Sequence, residues 1–127
     1  MSRTKTIVIV DPEPVVRSVL QGVLEGDGYK VTPLGDPKIA AEILKTDPPE
    51  LIITNVSLLG MTGHDAMKMF KSICPDVPVL MVSGLPDSDV IQHWMEEDGF
   101  DAFPKPFTAQ QFRDKVRQVL AKSEAAR

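Results

Sequence analysis

Three short runs of consecutive apolar residues constrain this chain more than any other feature of its sequence. They are Ile7–Val10, Leu51–Ile53 and Val77–Val82, the last interrupted only by Pro78. Continuous apolar runs rich in β-branched side chains are typical of strands that are covered on both faces, and such strands occur mainly in parallel sheets. Because parallel strands are joined by long crossovers, the sequence predicts helices between these runs.

The segments between the runs carry the apolar spacing of amphipathic helices. The first predicted helix begins at Pro14 and ends before the glycines at 26 and 28, and the second ends at Asp47–Pro49. Two further strands are predicted over Tyr29–Leu34 and around Phe100–Phe103. The apolar stripes of the five predicted helices are Val15, Val16, Val19, Leu20, Val23 and Leu24; Ile39, Ala40, Ile43 and Leu44; Met67, Phe70 and Ile73; Val90, Ile91, Trp94 and Met95; and Phe112, Val116, Val119 and Leu120.

This alternation predicts an α/β fold with a five-stranded parallel sheet and five helices on both of its faces. The chain has 127 residues, which predicts a single domain over residues 1–127 with a core of about 5–122. A net charge of −4 argues against binding to nucleic acid. One cysteine, Cys74, allows no internal disulfide, and the apolar run near the N-terminus is too short for a membrane span. The expected location is therefore cytoplasmic.

Polar side chains follow four of the predicted strands at the point where each strand ends. Asp11 and Glu13 follow the first strand, Asn55 the third, Ser83 the fourth and Lys105 the fifth. The carboxyl ends of parallel strands meet at one edge of a sheet, which is where open α/β folds bind ligands. The sequence therefore predicts a polar site at this edge.

Four stretches of the sequence resemble the receiver domains of two-component response regulators. They are IVIVDPEP at 7–14, PELIITNVSLLGMTG at 49–63, VPVLMVSG at 77–84 and FPKPF at 103–107. The resemblance spans about residues 5 to 122. It implies the flavodoxin-like sheet with strand order 2-1-3-4-5, and an activity in which an aspartate accepts a phosphoryl group with the help of magnesium.

The match to the receiver site is incomplete at two positions that carry its chemistry. Asp11 matches the first acid of the family's acid pair, but Pro12 stands where a metal-binding acid is expected. Asn55 stands at the aspartate that becomes phosphorylated, and an amide cannot act as the carboxylate nucleophile. We therefore expect magnesium to bind weakly or not at all, with Asp11 and Glu13 as vestigial ligands.

Other family positions are kept or shifted by one residue. Ser83 matches the hydroxyl that contacts the phosphoryl group, and Lys105 matches the lysine that pairs with it. The switch aromatic of the family falls at Ala102, with Phe103 one position later. With no metal to compete, we predict that Lys105 pairs with Asp11 or donates a hydrogen bond to the Asn55 oxygen.

The function expected from this pattern is a phosphorylation-independent interaction module of a two-component system, with neither enzymatic activity nor a cofactor. The alternative is a receiver with an engineered or atypical acceptor that still takes part in phosphotransfer. A flavodoxin-like binder of a nucleotide or flavin phosphate is a third interpretation, but the acidic, proline-interrupted loop at 11–14 would repel phosphate.

The partner is expected to be a protein, such as a histidine kinase or another two-component protein. Segment 87–101 is acidic, whereas segment 108–127 carries an excess of basic residues. In receivers the fourth helix, fifth strand and fifth helix form the usual partner or dimer surface. The sequence therefore predicts a salt-sensitive association, including a homodimer, through that surface.

Overall fold

The computed structural model describes residues 4–55, 57–58, 61–83, 101–104 and 107–125. Within these ranges seven strands and four helices follow one another along the chain. The strands are β1 (Thr6–Val10), β2 (Lys30–Leu34), β3 (Leu51–Asn55), β4 (Ser57–Leu58), β5 (Met61–Thr62), β6 (Val79–Ser83) and β7 (Asp101–Pro104). The helices are α1 (Pro14–Gly26), α2 (Pro37–Thr46), α3 (Gly63–Ile73) and α4 (Ala109–Ala125).

Five of the strands form one parallel sheet in the order β2-β1-β3-β6-β7. The predicted numbering 2-1-3-4-5 is wrong, because two strands that the sequence did not reveal come between β3 and β6 along the chain. These are β4 and β5, which pair with each other in antiparallel fashion between β3 and α3. Each has only two residues, too few for an alternating pattern to be visible in the sequence.

The alternation of side chains along each strand divides the core into two layers. Ile7 and Ile9 of β1 pack in a first cluster with the buried faces of α1 and α4, including Leu24 and Phe112. Val8 and Val10 pack in a second cluster with α2 and α3. Successive side chains of a strand point to opposite faces, so this division confirms helices on both faces of the sheet.

The helix ends follow from local side-chain chemistry. Asp36 caps α2 and Thr62 caps α3, each accepting a hydrogen bond from a backbone N–H of the first turn. Thr108 and Gln111 bond to each other's backbone N–H groups at the start of α4, which is the reciprocal capping box. After α1 the chain turns at Gly28, whose φ of 94° lies in the left-handed region that favours glycine.

Three apolar residues assigned to helix stripes are exposed instead. The exposed fraction is 75% for Val15, 59% for Val19 and 54% for Ile39. In α1 the residues that contact the first cluster are Val16, Leu20, Val23 and Leu24. The apolar stripe of α1 is therefore wider than the face that the sheet can cover.

The remaining predictions about the fold divide into those met by the structure and those outside it. Cys74 is buried at the end of α3, and burial raises the pKa of its thiol. No helix in the described ranges is both long and apolar enough to cross a bilayer. The predicted helix carrying Trp94 lies outside the described residues. A single domain over residues 1–127 stays a prediction.

Candidate functional site

The register of the sheet brings three of the predicted site residues to one edge. Val10 pairs with Thr54, so the residues that follow them, Asp11 and Asn55, lie side by side at the ends of β1 and β3. Asn55 in turn pairs with Val82 of β6, next to Ser83. The structure therefore brings these three positions together at the carboxyl edge of the sheet.

Asp11 is a buried acidic residue at this edge. It is only 3% exposed, and both of its carboxylate oxygens accept a hydrogen bond. Oδ1 accepts the backbone N–H of Glu13 at 2.9 Å, and Oδ2 accepts the side-chain amide of Asn55 at 3.2 Å. A buried carboxylate is costly unless such donors satisfy it. The local fold therefore supplies donors from the chain itself.

The Asn55 side chain points its amide nitrogen towards this carboxylate. An aspartate at the same place would bring a second negative charge within about 3 Å of Asp11, where a cation would be needed to hold the two together. The amide donates a hydrogen bond instead. The side chains at the ends of β1 and β3 thus attract each other as an amide and a carboxylate.

The neighbours of Asp11 in the β1–α1 loop offer few oxygen ligands. Pro12 is half-buried and has no polar side-chain atom, and Glu13 is exposed at the N-cap of α1, where its side chain makes no capping bond. Within the described ranges, no group of three or more His, Cys, Asp or Glu side chains could hold a metal ion. These residues do not fit a magnesium site with a pair of acids. The expected weakness of magnesium binding stays a prediction.

Arg17 belongs to this edge although the sequence pattern did not single it out. Its Nη1 donates a hydrogen bond of 2.7 Å to the backbone carbonyl of Asp11. The signal available in the sequence was its place four residues after Glu13, one helical turn further along the same side of α1. In a sequence, an arginine at such a position is interpreted as a solvated surface residue. Its partner here is a backbone carbonyl, and a backbone group leaves no residue pattern.

The sequence profile of the response regulator receiver domain matches residues 7–117. This chain belongs to that family. Among solved structures, a CheY-like response regulator receiver domain protein from Methanospirillum hungatei JF-1 superposes with a TM-score of 0.90 at 21% identity, covering 98% of this chain and 100% of that one. That likeness supports the receiver fold.

Curated relatives extend from single-domain length to longer proteins. Sporulation initiation phosphotransferase F of Bacillus subtilis is 28% identical over 114 residues, which cover 90% of this chain and 92% of that protein. The DNA-binding response regulator MtrA of Mycolicibacterium smegmatis is 27% identical over 118 residues, but this chain covers only 51% of its length. Since a receiver can be part of a DNA-binding protein, the expectation of no nucleic acid stays a prediction.

Ala102, which the sequence analysis assigned to the switch-aromatic position, is a small side chain on one face of β7. Ala102 packs against the second cluster, whereas Phe103 packs against the first cluster on the opposite face of the sheet. A shift by one residue in a strand reverses the face, so Phe103 does not stand in for an aromatic at position 102. Its ring instead lies 5.0 Å from that of Phe107, which stacks on Phe112 of α4 at 5.4 Å.

The basic residues of the receiver's last helix are partly engaged within the molecule. Arg117 donates to both carboxylate oxygens of Asp27 at 3.0 Å, and Lys115 lies 3.7 Å from Asp101. The acidic partner surface predicted over 87–101 lies outside the described residues, apart from Asp101. Part of the basic charge that the sequence assigned to a salt-sensitive association is therefore already paired within the chain.

Two predicted site groups fall outside the part of the chain that the structure describes. These are Lys105, with the adjoining Pro106, and the side chain of Ser83, whose backbone ends β6. The pairing of Lys105 with Asp11 or Asn55 stays a prediction. A cavity of about 230 Å³ lies where β6 and β7 begin, beside Pro78, Val79 and Asp101. Its described lining contains none of the predicted site residues.

Proposed function

We propose that this chain is a receiver module of a two-component system that acts through protein–protein interaction without being phosphorylated. The observation that carries the proposal is the hydrogen bond from the Asn55 amide to the buried Asp11 carboxylate. A phosphoryl acceptor in this family is a carboxylate, and the amide at position 55 has no anionic oxygen to attack phosphorus. The same amide stabilises Asp11 directly.

The metal requirement points in the same direction. Phosphoryl transfer needs positive charge to offset the charge of the transferred group, and magnesium prefers oxygen ligands with negative charge. Pro12 supplies no such ligand, Glu13 is exposed, and the Asn55 nitrogen faces Asp11. We therefore propose that the pocket binds magnesium weakly or not at all and that the chain has no enzymatic activity.

The proposed partner is a protein of a two-component pathway, such as a histidine kinase, in the cytoplasm. We also propose a homodimer through the segment around 87–101 and α4. Lys115 and Arg117 already have acidic neighbours within the chain, so fewer basic residues of α4 are available to this interface than the sequence predicted. Sedimentation at high protein concentration tests it. A monomer at every salt concentration would exclude the homodimer.

The phosphorylation test uses a small phosphodonor with magnesium, read by intact mass. The parent chain should take up no phosphoryl group. Asn55→Asp alone should recover little, because Pro12 still leaves the cation poorly held, whereas Asn55→Asp combined with Pro12→Asp should recover more. The pair of variants separates the loss of the nucleophile from the loss of the metal ligand.

The alternative function is phosphotransfer through another acceptor. It is favoured by the similarity to sporulation initiation phosphotransferase F, which covers most of both chains. In the same experiment, a phosphoryl group on Ser57 or Ser83 of the unmodified chain would support this alternative. Any phosphoryl group mapped to this pocket in the parent would contradict the proposed function.

A further inference from the structure

The end of β1 is held from its backbone side by groups that the proposed function does not use. The N–H of Asp11 donates to the carbonyl of Leu34 at 3.0 Å, and the carbonyl of Asp11 accepts from Arg17 Nη1 at 2.7 Å. Asp11 therefore has both backbone groups and both carboxylate oxygens engaged. Of these four contacts, only the one with Arg17 brings a permanent positive charge.

Gly35 makes room for that charge. A Cβ atom at position 35 would lie 2.7 Å from Arg17 Nη1, 3.6 Å from its Cζ and 3.8 Å from the Asp11 carbonyl oxygen. Among the described glycines only Gly28 has a positive φ, so Gly35 is not required by its backbone conformation. The glycine leaves space beside the end of β1, and that space is filled by the guanidinium.

We propose that Arg17 is a positioning residue of the site and that Gly35 is the slot that receives it. The guanidinium fixes the end of β1 so that the Asp11 carboxylate meets the Asn55 amide, and a built-in cation stands beside the residue that carries the buried charge. This inference deepens the proposed function and rests on it only in taking the same pocket to be assembled without a metal ion.

A side chain added at position 35 tests whether the slot beside Gly35 holds the guanidinium. The clashing atom lies at the far end of a flexible side chain, so Gly35→Ala should displace the guanidinium and leave the backbone in place. Gly35→Ala and Arg17→Ala should therefore have the same effect on Asp11, and combining them should add nothing. Two residues that act through one contact give non-additive changes, which a double-mutant cycle detects.

The experiment is amide hydrogen exchange and side-chain NMR on the parent, both single variants and the double variant. The reporters are the Glu13 backbone N–H and the Asn55 side-chain amide, which both donate to Asp11. Each single variant should speed exchange at Glu13 by about tenfold, the factor that one charge-assisted hydrogen bond is worth, and should shift the Asn55 resonances. Arg17→Lys keeps a positive charge, so it should change the Glu13 exchange rate and the Asn55 resonances less than Arg17→Ala does. Arg113→Ala on α4 is the control for loss of an arginine.

Two results would overturn the inference. One is an Arg17→Ala variant whose unfolding changes while the Glu13 and Asn55 signals do not, which would make Arg17 merely structural. The other is a Gly35→Ala effect that persists in full when Arg17 is already alanine. If Arg17→Ala does not fold, Gly35→Ala still reports on the slot. Phosphoryl uptake by the parent would contradict the proposed function, whereas the Glu13 and Asn55 signals are read on protein that has met no phosphodonor, so the two failures are distinguishable.

Discussion

Charges are held differently at the two edges of the sheet. At the carboxyl edge, Asp11 is buried and each carboxylate oxygen accepts a hydrogen bond from a neutral N–H donor. At the amino edge, where the strands begin, Glu50 accepts from the N–H and the hydroxyl of Thr6, but two ion pairs, Arg117 with Asp27 and Lys5 with Glu124, have side chains partly in solvent. The buried carboxylate at the carboxyl edge thus depends on a few specific donors, whereas these two ion pairs at the amino edge depend on attraction that water and salt weaken.

The difference indicates where a substitution will be felt. An exposed ion pair that is lost leaves two groups that water can solvate, so its removal changes stability little. A buried carboxylate that loses a donor, or gains a second carboxylate beside it, has no such replacement.

The largest effect is expected for Asn55→Asp. The variant replaces a donor 3.2 Å from Asp11 Oδ2 by a second carboxylate, which should lower the free energy of unfolding by about 1 to 3 kcal/mol at neutral pH. The loss should shrink as the pH is lowered, because a protonated carboxyl can again donate the bond. Urea unfolding of the parent and the variant between neutral and acidic pH measures both effects.

A charge exchange provides the matched control. In the double variant Asp11→Asn with Asn55→Asp, the amide and the carboxylate trade places, so one donor and one acceptor again face each other. Most of the stability should return, although the amide introduced at position 11 must still accept the N–H of Glu13 through its oxygen. If the double variant is as unstable as Asn55→Asp alone, the contact between these two side chains does not govern this edge.

The contrast between the edges also explains what the sequence could reveal. Asp11 and Asn55 could be placed together because each ends an apolar run, and neighbouring parallel strands end at the same edge. Arg17 and Gly35 could not, because Arg17 contacts a backbone carbonyl and Gly35 contributes only the absence of a side chain beside the guanidinium, neither of which leaves a residue pattern. At the carboxyl edge, the contact between two side chains left a pattern in the sequence, and the contact with the backbone did not.

The two helix and strand periods differ in how much they show. Val15 and Val19 continue the apolar stripe of α1 but lie beyond the width that the sheet covers, since periodicity shows which side of a helix is apolar and not how much of it is buried. Ala102 and Phe103 show the opposite case. In β7 a period of two was enough to assign Phe103 to the other face once the strand was located.

A smaller effect is expected at the amino edge from Asp27→Asn. The variant removes the carboxylate that Arg117 contacts with two hydrogen bonds at 3.0 Å, but Arg117 is exposed and its charge can be solvated. The urea midpoint should fall by less than for Asn55→Asp, and the difference from the parent should nearly vanish at high salt. Asp114→Asn, which removes a 3.4 Å contact with the same arginine, is the control and should change less. A salt-independent loss would contradict the assignment of this edge to screened ion pairs.

The smallest effect concerns Tyr29, which lies at the same edge just before β2 and packs against the first cluster. Burial, and then the nearby Asp27 carboxylate, raise the pKa of its phenol above the ordinary value of about 10. The unfolded chain therefore loses this proton at lower pH than the folded one, so Tyr29 contributes stability below the unfolded pKa that is lost as pH rises through the folded pKa.

Tyr29 is the only tyrosine of the chain, so phenolate absorbance follows it without overlap from another tyrosine. Asp27→Asn should lower the titration midpoint slightly, because burial is the larger cause, and the midpoint should stay above that of the urea-unfolded chain. A midpoint that falls to the unfolded value in Asp27→Asn would mean that charge, and not burial, controls this residue, and would make the amino edge more dependent on its ion pairs than the comparison of the two edges allows.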